Sequence, residues 1–278
     1  MSSSSLPSIF DLTIPDMAIA AWGEVLRRAW ARSREITDQR FNIPEINEDW
    51  QRLHNFEYQH FYSSWVAVAF RFQSCADHNQ DFTEAFQRSN GASQEVGLLY
   101  QEDDALFGFF VKGLSALESF YYSLYALGAL IYTPPEAPSV PPPNQFRLLD
   151  PKNSINLRSI KPINVQRAFE KEFSEQPLTA FLRQMLNDEK YKEWSHFRNI
   201  LAHRVAVVGR TVQYPGFSFS GHPMSVSTWG TDLLLDARTT ASRYEWLKET
   251  VNRGLEETAA FTIQRLAYTE DQLHQLAW

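Results

Sequence analysis

Cysteine is nearly missing from this 278-residue chain. Cys75 stands alone, so the chain cannot close an internal disulfide or build a zinc site on thiolates. Eleven glycines and 14 prolines are too few for a collagen-like or glycine-rich low-complexity protein. Long apolar runs are also lacking. The longest uncharged stretch of the most hydrophobic segment runs 17 residues, from Ser119 to Pro135, and ends in prolines, which argues against a membrane span. The opening Met-Ser-Ser-Ser-Ser-Leu-Pro has no basic stretch followed by an apolar one, as a secretory leader would. With the single cysteine, this makes a cytoplasmic protein the expectation. Several motifs are missing too: the P-loop, Gly-x-Gly-x-x-Gly, His-Glu-x-x-His, Gly-x-Ser-x-Gly and the EF-hand loop. The seven histidines include no pair at i,i+3 or i,i+4, so neither a metal nor another cofactor is expected.

What is present is the composition of a globular domain, 44% hydrophobic and 21% charged. The net charge of −7 disfavours a dedicated duplex-DNA binder. Its distribution is uneven: residues 146–210 carry 12 Lys/Arg against 7 Asp/Glu, and the rest of the chain 14 against 26. A basic middle in an acidic frame suits a localised phosphate site, but uneven solvated faces account for it more simply, and charge alone does not decide.

Apolar periodicity is helical over most of the length. Ala18, Ala21, Trp22, Val25, Ala29 and Trp30 predict a helix over Asp16–Ile36. Tyr58, Phe61, Trp65, Val68, Phe72 and Cys75, preceded by His54, predict a second over Asn47–Ala76. Residues 77–95 read as a polar loop. A buried third helix is expected over Asp104–Ile131, followed by Thr133–Pro143, an extended linker with six prolines in 11 residues. Three shorter helices are expected at 162–173, 177–187 and 188–204. Val205–Asp236, with Gly, Pro and Ser punctuation and alternating Phe217/Phe219 and Val226/Thr228, reads as a β-hairpin. One long helix over 239–274 closes the chain. The expected fold is mainly α: a single helical domain over residues 1–278, with a small β-hairpin before the last helix.

One segment carries a recognisable chemical pattern. Trp194-Ser195-His196-Phe197-Arg198-Asn199-Ile200-Leu201-Ala202-His203-Arg204 contains Arg198-Asn199-x-x-x-His203 at the end of a predicted helix. In a shuffled chain of this composition Arg-x4-His arises about 0.5 times, and with Asn after the Arg about 0.02 times. The asparagine therefore makes the match informative. The looser spacing also fits Arg71…His78, which lacks it. On a helical wheel Trp194, Phe197 and Leu201 share the core side, while Lys192, Ser195, His196, Asn199 and His203 cluster on a polar face. Arg198 falls on the shoulder between them and needs an anionic partner. Glu118, an acidic residue within the buried third helix, is the favoured partner.

The segment resembles the Arg-x(4–6)-His motif of the HEPN superfamily, in its Arg-Asn-x-x-x-His form. The resemblance covers about Asp104 to the C-terminus; the first two helices (16–76), packed on that core, the proline-rich linker and the hairpin lie outside it. It implies a metal-independent endoribonuclease that cuts single-stranded RNA at a composite site in a homodimer, of the kind found in toxins and phage-defence effectors. It names Arg198, Asn199 and His203 as catalytic, with Glu118, His196, Lys192 and Arg204 as supporting or RNA-contacting residues. His203, titrating near neutrality, suits proton transfer, and the Arg198 fork suits the scissile phosphate. RNA is then the substrate, an antitoxin or other regulatory protein a further partner, and no membrane is involved. The tyrosine that one related group modifies two places after the histidine is here Val205. The alternative is a non-catalytic HEPN-like dimer that binds a nucleotide, RNA or a protein.

Overall fold

The computed structural model describes residues 16–41, 56–88, 95–132, 145–146, 159–203 and 236–276. Of these, 91% are helical and none lies in a strand. The chain is mainly α, as its periodicity predicts. The hairpin expected at Val205–Asp236 and the linker at Thr133–Pro143 lie outside the described residues. The helices are α1 (Ile19–Phe41), α2 (Phe56–Arg88), α3 (Val96–Tyr132), α4 (Pro162–Glu172), α5 (Pro177–Asn187), α6 (Glu189–His203), α7 (Ala237–Arg265) and α8 (Glu270–Leu276). No described helix is long and apolar enough to cross a membrane.

Three expectations need correction. The third helix, expected from Asp104, already starts at Val96. The segment after Ala76 is not a loop at its start, because α2 continues to Arg88. Its added turns are polar outside and still bury Phe82 and Ala85, three residues apart. Gln73–Asp77 and Gln80–Glu84 hydrogen bonds at i,i+4 bridge the exposed side. The closing helix is broken after Arg265. Thr269 and Gln272 form a reciprocal cap, with the Thr269 amide donating to Gln272 Oε1 at 2.9 Å and the Gln272 amide to Thr269 Oγ1 at 3.3 Å. That is a capping box, and it starts α8 afresh.

The chain forms two compact units. The first comprises Met1–Ala69, Leu117–Asn187 and Thr250–Trp278. It is held by aromatic packing: Trp22 meets Trp65 edge-on at 6.0 Å, and Trp65 lies against Phe120. A bare backbone at Gly254 lets Phe120 and Phe181 approach α7 closely. Phe146, fully buried, plugs the space beside Gly128, Tyr125 and Phe169, which pins the chain that follows the proline-rich segment. Arg28 holds the turn after α7 by donating to the carbonyls of Leu266 (2.6 Å) and Tyr268 (3.1 Å), the first of which also accepts from the Tyr268 amide at 2.8 Å. Asn252 fixes the entry to α1, accepting from the Ala18 amide and donating to the Asp16 carbonyl.

The second unit comprises Phe70–Ala116 and Asp188–Glu249. Here α2 packs on α3 through Cys75, whose thiol donates to the Phe109 carbonyl at 3.4 Å, and through His78, whose ring lies against Gly108. Phe72 meets Tyr244 of α7 at 5.7 Å. The helix that carries the Arg-Asn-x-x-x-His pattern, α6, belongs to this unit.

Candidate functional site

Asp188 starts α6. Its Oδ1 accepts from the Lys190 amide at 2.8 Å, an N-cap bond, and Glu189 adds negative charge to the first turn. The exposed Lys192–Glu189 pair at 2.6 Å contributes little. Tertiary contacts therefore have to hold this helix.

They come from two sides. Trp194 and Phe197 are buried, as the wheel requires. Trp194 lies 4.7 Å from Phe109 and 5.0 Å from Phe110 between ring centroids, and Phe197 lies 4.9 Å from Phe110. The indole sits directly on Gly113, where any Cβ would overlap Cζ3 and Cη2. Residue 194 faces 113 and residue 197 faces 110, so α6 runs antiparallel to α3.

The second hold is from α7. Arg243 is buried, donates to Glu193 at 2.8 Å, and places its guanidinium 5.7 Å from the Phe197 centroid. Burial lowers the Arg243 pKa and Glu193 opposes that shift. Trp246 adds a 3.3 Å hydrogen bond from Nε1 to Asp188 Oδ2, so the residue that caps α6 is itself fixed by α7. Sequence reasoning passed over Arg243, Glu193 and Trp246. The signal was there: Arg243 precedes Leu247 by one turn and so lies on the buried stripe of α7. An arginine on such a stripe demands a carboxylate, as the shoulder position of Arg198 does.

With the inner faces engaged, the opposite face of α6 points outward. Lys192, His196 and Asn199 are exposed, and Ser195 and Arg198 are half-buried. The His196 ring leans edge-on against Phe197 at 6.0 Å. Arg198 and Asn199 thus sit one turn from the end of a helix that closes at His203. The His203 side chain and all of Arg204 lie outside the described residues. Glu118 is half-buried on α3 and belongs to the first unit, whereas Arg198 belongs to the second.

The looser pattern, Arg71…His78, is engaged in packing. Arg71 Nη1 donates to the Ser115 carbonyl at 3.2 Å, and His78 is held against Gly108. Among the described residues no group of three or more His, Cys, Asp or Glu side chains is placed to hold a metal ion. No family model, curated protein or solved structure matches the chain.

Proposed function

We propose that the chain is a metal-independent endoribonuclease of the HEPN type, cutting single-stranded RNA at a composite site formed by the α6 helices of a homodimer. The observation that carries this reading is the orientation of the pattern. Trp194, Phe197 and Glu193 fasten α6 inward, which leaves Asn199 exposed and Arg198 half-buried near its C-terminal end.

The chemistry suits such groups. RNA is cut when its 2′-hydroxyl attacks the neighbouring phosphorus and the bond to the 5′-oxygen breaks. The step needs a base for the 2′ proton, an acid for the leaving oxygen, and cations for the charge on phosphorus. Two His203 imidazoles, one from each copy, supply base and acid. Arg198 donates two hydrogen bonds to the phosphate and stays protonated throughout. Asn199, one turn before His203, orients the imidazole or donates to the same phosphate. Lys192, His196 and Arg204 contact the RNA backbone. Each of these roles is performed without a metal. Toxin or phage-defence biology fits an enzyme of this type, with a regulatory protein that restrains it.

The test is cleavage of a mixed-sequence single-stranded RNA in EDTA by wild type, Arg198→Ala and His203→Ala, with the mass of each protein measured in solution. The reading expects a wild-type dimer that leaves 2′,3′-cyclic phosphate ends and two folded, inactive dimeric variants. Cleavage that survives both substitutions overturns it. A dimer that binds RNA or nucleotide and cuts nothing shows instead the non-catalytic binding module.

A further inference from the structure

On the second unit, the first turns of α3 carry an apolar row that is exposed among the described residues. Val96 is 79% exposed, Tyr100 70% and Phe107 40%. With Asp103 these residues are spaced 4, 3 and 4 apart, within an arc of about 60° over about 16 Å of helix. That is the spacing by which one helix seats a second. Ala105 and Phe109, on the other side of the same turns, are buried, while Phe110 and Leu114 carry the row's own spacing on into the core, so only its first turns stand exposed. Single exposed apolar side chains are ordinary; three large ones aligned on one helix face mark an interaction surface.

Charge identifies what fits it. Residues 77–107 hold seven carboxylates and one arginine. Asp103 occupies the third position of the row itself, Asp104 follows it, and Asp81 and Glu84 are exposed on α2. Residues 95–107 carry four carboxylates and no Lys or Arg, a balance that disfavours phosphates and hence RNA. A second copy seated on the same row would bring its own acidic residues against these, so self-pairing is opposed as well.

We propose that the Val96–Tyr100–Phe107 face of α3 is a docking site for a basic, amphipathic helix of a partner protein. Apolar residues of that helix at 4-3-4 spacing would fill the row, and its lysines or arginines would meet Asp103 and Asp104. The site is independent of the ribonuclease reading and stands or falls without it.

The test uses the full chain and three fluorescently labelled 18-residue peptides of high helix propensity. One carries Leu at 4-3-4 spacing flanked by Lys, the second replaces Lys with Glu, and the third replaces Leu with Ser. Anisotropy should show saturable binding of the first peptide alone. Tyr100→Ser and Phe107→Ser should each weaken it by about tenfold or more, as loss of a central aromatic anchor does. Asp103→Lys/Asp104→Lys should reject the basic peptide and admit the acidic one. Tyr100, Asp104 and Phe107 are exposed and Asp103 is half-buried, and circular dichroism verifies that each variant is folded. The proposal is overturned if the first peptide does not saturate by about 1 mM, if Tyr100→Ser leaves its affinity unchanged, or if the second and third peptides bind equally well. It is also overturned if the chain alone forms a dimer that Tyr100→Ser dissociates, because the occupant is then a second copy.

Discussion

Gly113→Ala should destabilise the protein although it places the best helix former inside a helix. In an open helix the exchange gains about 1 kcal/mol. At position 113 the added methyl would overlap Cζ3 and Cη2 of Trp194 and lie 3.1 Å from Cys75 Sγ. The obstacle is a rigid ring, not the mobile end of a chain. Trp194 is wholly buried, with Phe109 and Phe110 against it at 4.7 and 5.0 Å, so it has nowhere to move. Overpacking of this kind costs about 1–3 kcal/mol, and a ring fixed on two sides puts it at the upper end. The net loss is about 1–2 kcal/mol, or about 2–8 °C in melting temperature for a chain of this size. Gly23→Ala in α1 is the control, because nothing lies within 4 Å of a Cβ there; it should gain about 0.5–1 kcal/mol. Thermal and urea unfolding followed by circular dichroism measures both. Trp194→Phe removes the two overlapping ring carbons, so the double variant should be more stable than the sum of the single effects by about 1 kcal/mol. Equal gains from both glycine substitutions would refute the packing argument.

Arg243→Ala should cost about 1–2 kcal/mol and raise amide hydrogen exchange in α6, whereas Arg243→Lys keeps the charge and should recover part of both. The His60 imidazole, 2.8 Å from the Tyr122 hydroxyl, is held by burial below its ordinary pKa of 6.5. The unfolded chain therefore takes up that proton first as pH falls, and stability drops below about pH 6.5. His60→Gln should flatten this part of a stability-against-pH curve between about pH 7 and 5. The Tyr122 hydroxyl, pushed up to about 12, keeps its proton throughout that range. Burial raises the Cys75 thiol well above its ordinary value, so a thiol reagent should label it only in denaturant. Rapid labelling of the native protein would contradict the packing of α2 on α3.

The sequence was most legible where apolar spacing and end signals agreed. Pro162 and Pro177 each open a helix as a first-turn proline should, and the bounds of α4, α5 and α6 follow the expected ones within a residue or two. The far end of α2 was harder to see. Beyond Asp77 the inner face has only Phe82 and Ala85 as buried apolar residues, with His78 against Gly108, and the remaining residues resemble a solvated loop. The break before α8 was written in Thr269-Glu270-Asp271-Gln272, but the apolar rhythm of α7 hid it. The polar face of α6 was predictable because Trp194 and Phe197 allow one orientation. The hold from α7 was not, since Arg243, Glu193, Trp246 and Asp188 are 50 or more residues apart and nothing local links them.

That hold divides α6 into two sets of residues with no member in common. The fold uses Asp188, Glu193, Trp194 and Phe197, which cap the helix, pair with Arg243 and fill the core. The proposed chemistry uses Arg198, Asn199 and His203. Asn199 is exposed, so Asn199→Ala should change stability by no more than about 0.5 kcal/mol. Half-buried Arg198 should cost more, and Arg198→Lys, which keeps a cation on the same stem, should restore much of that stability. A lysine cannot grip phosphate with a fork, so cleavage should stay low in the same variant. Stability recovered without activity places Arg198 at the phosphate. Activity that returns in proportion to stability means that the arginine only supports the helix.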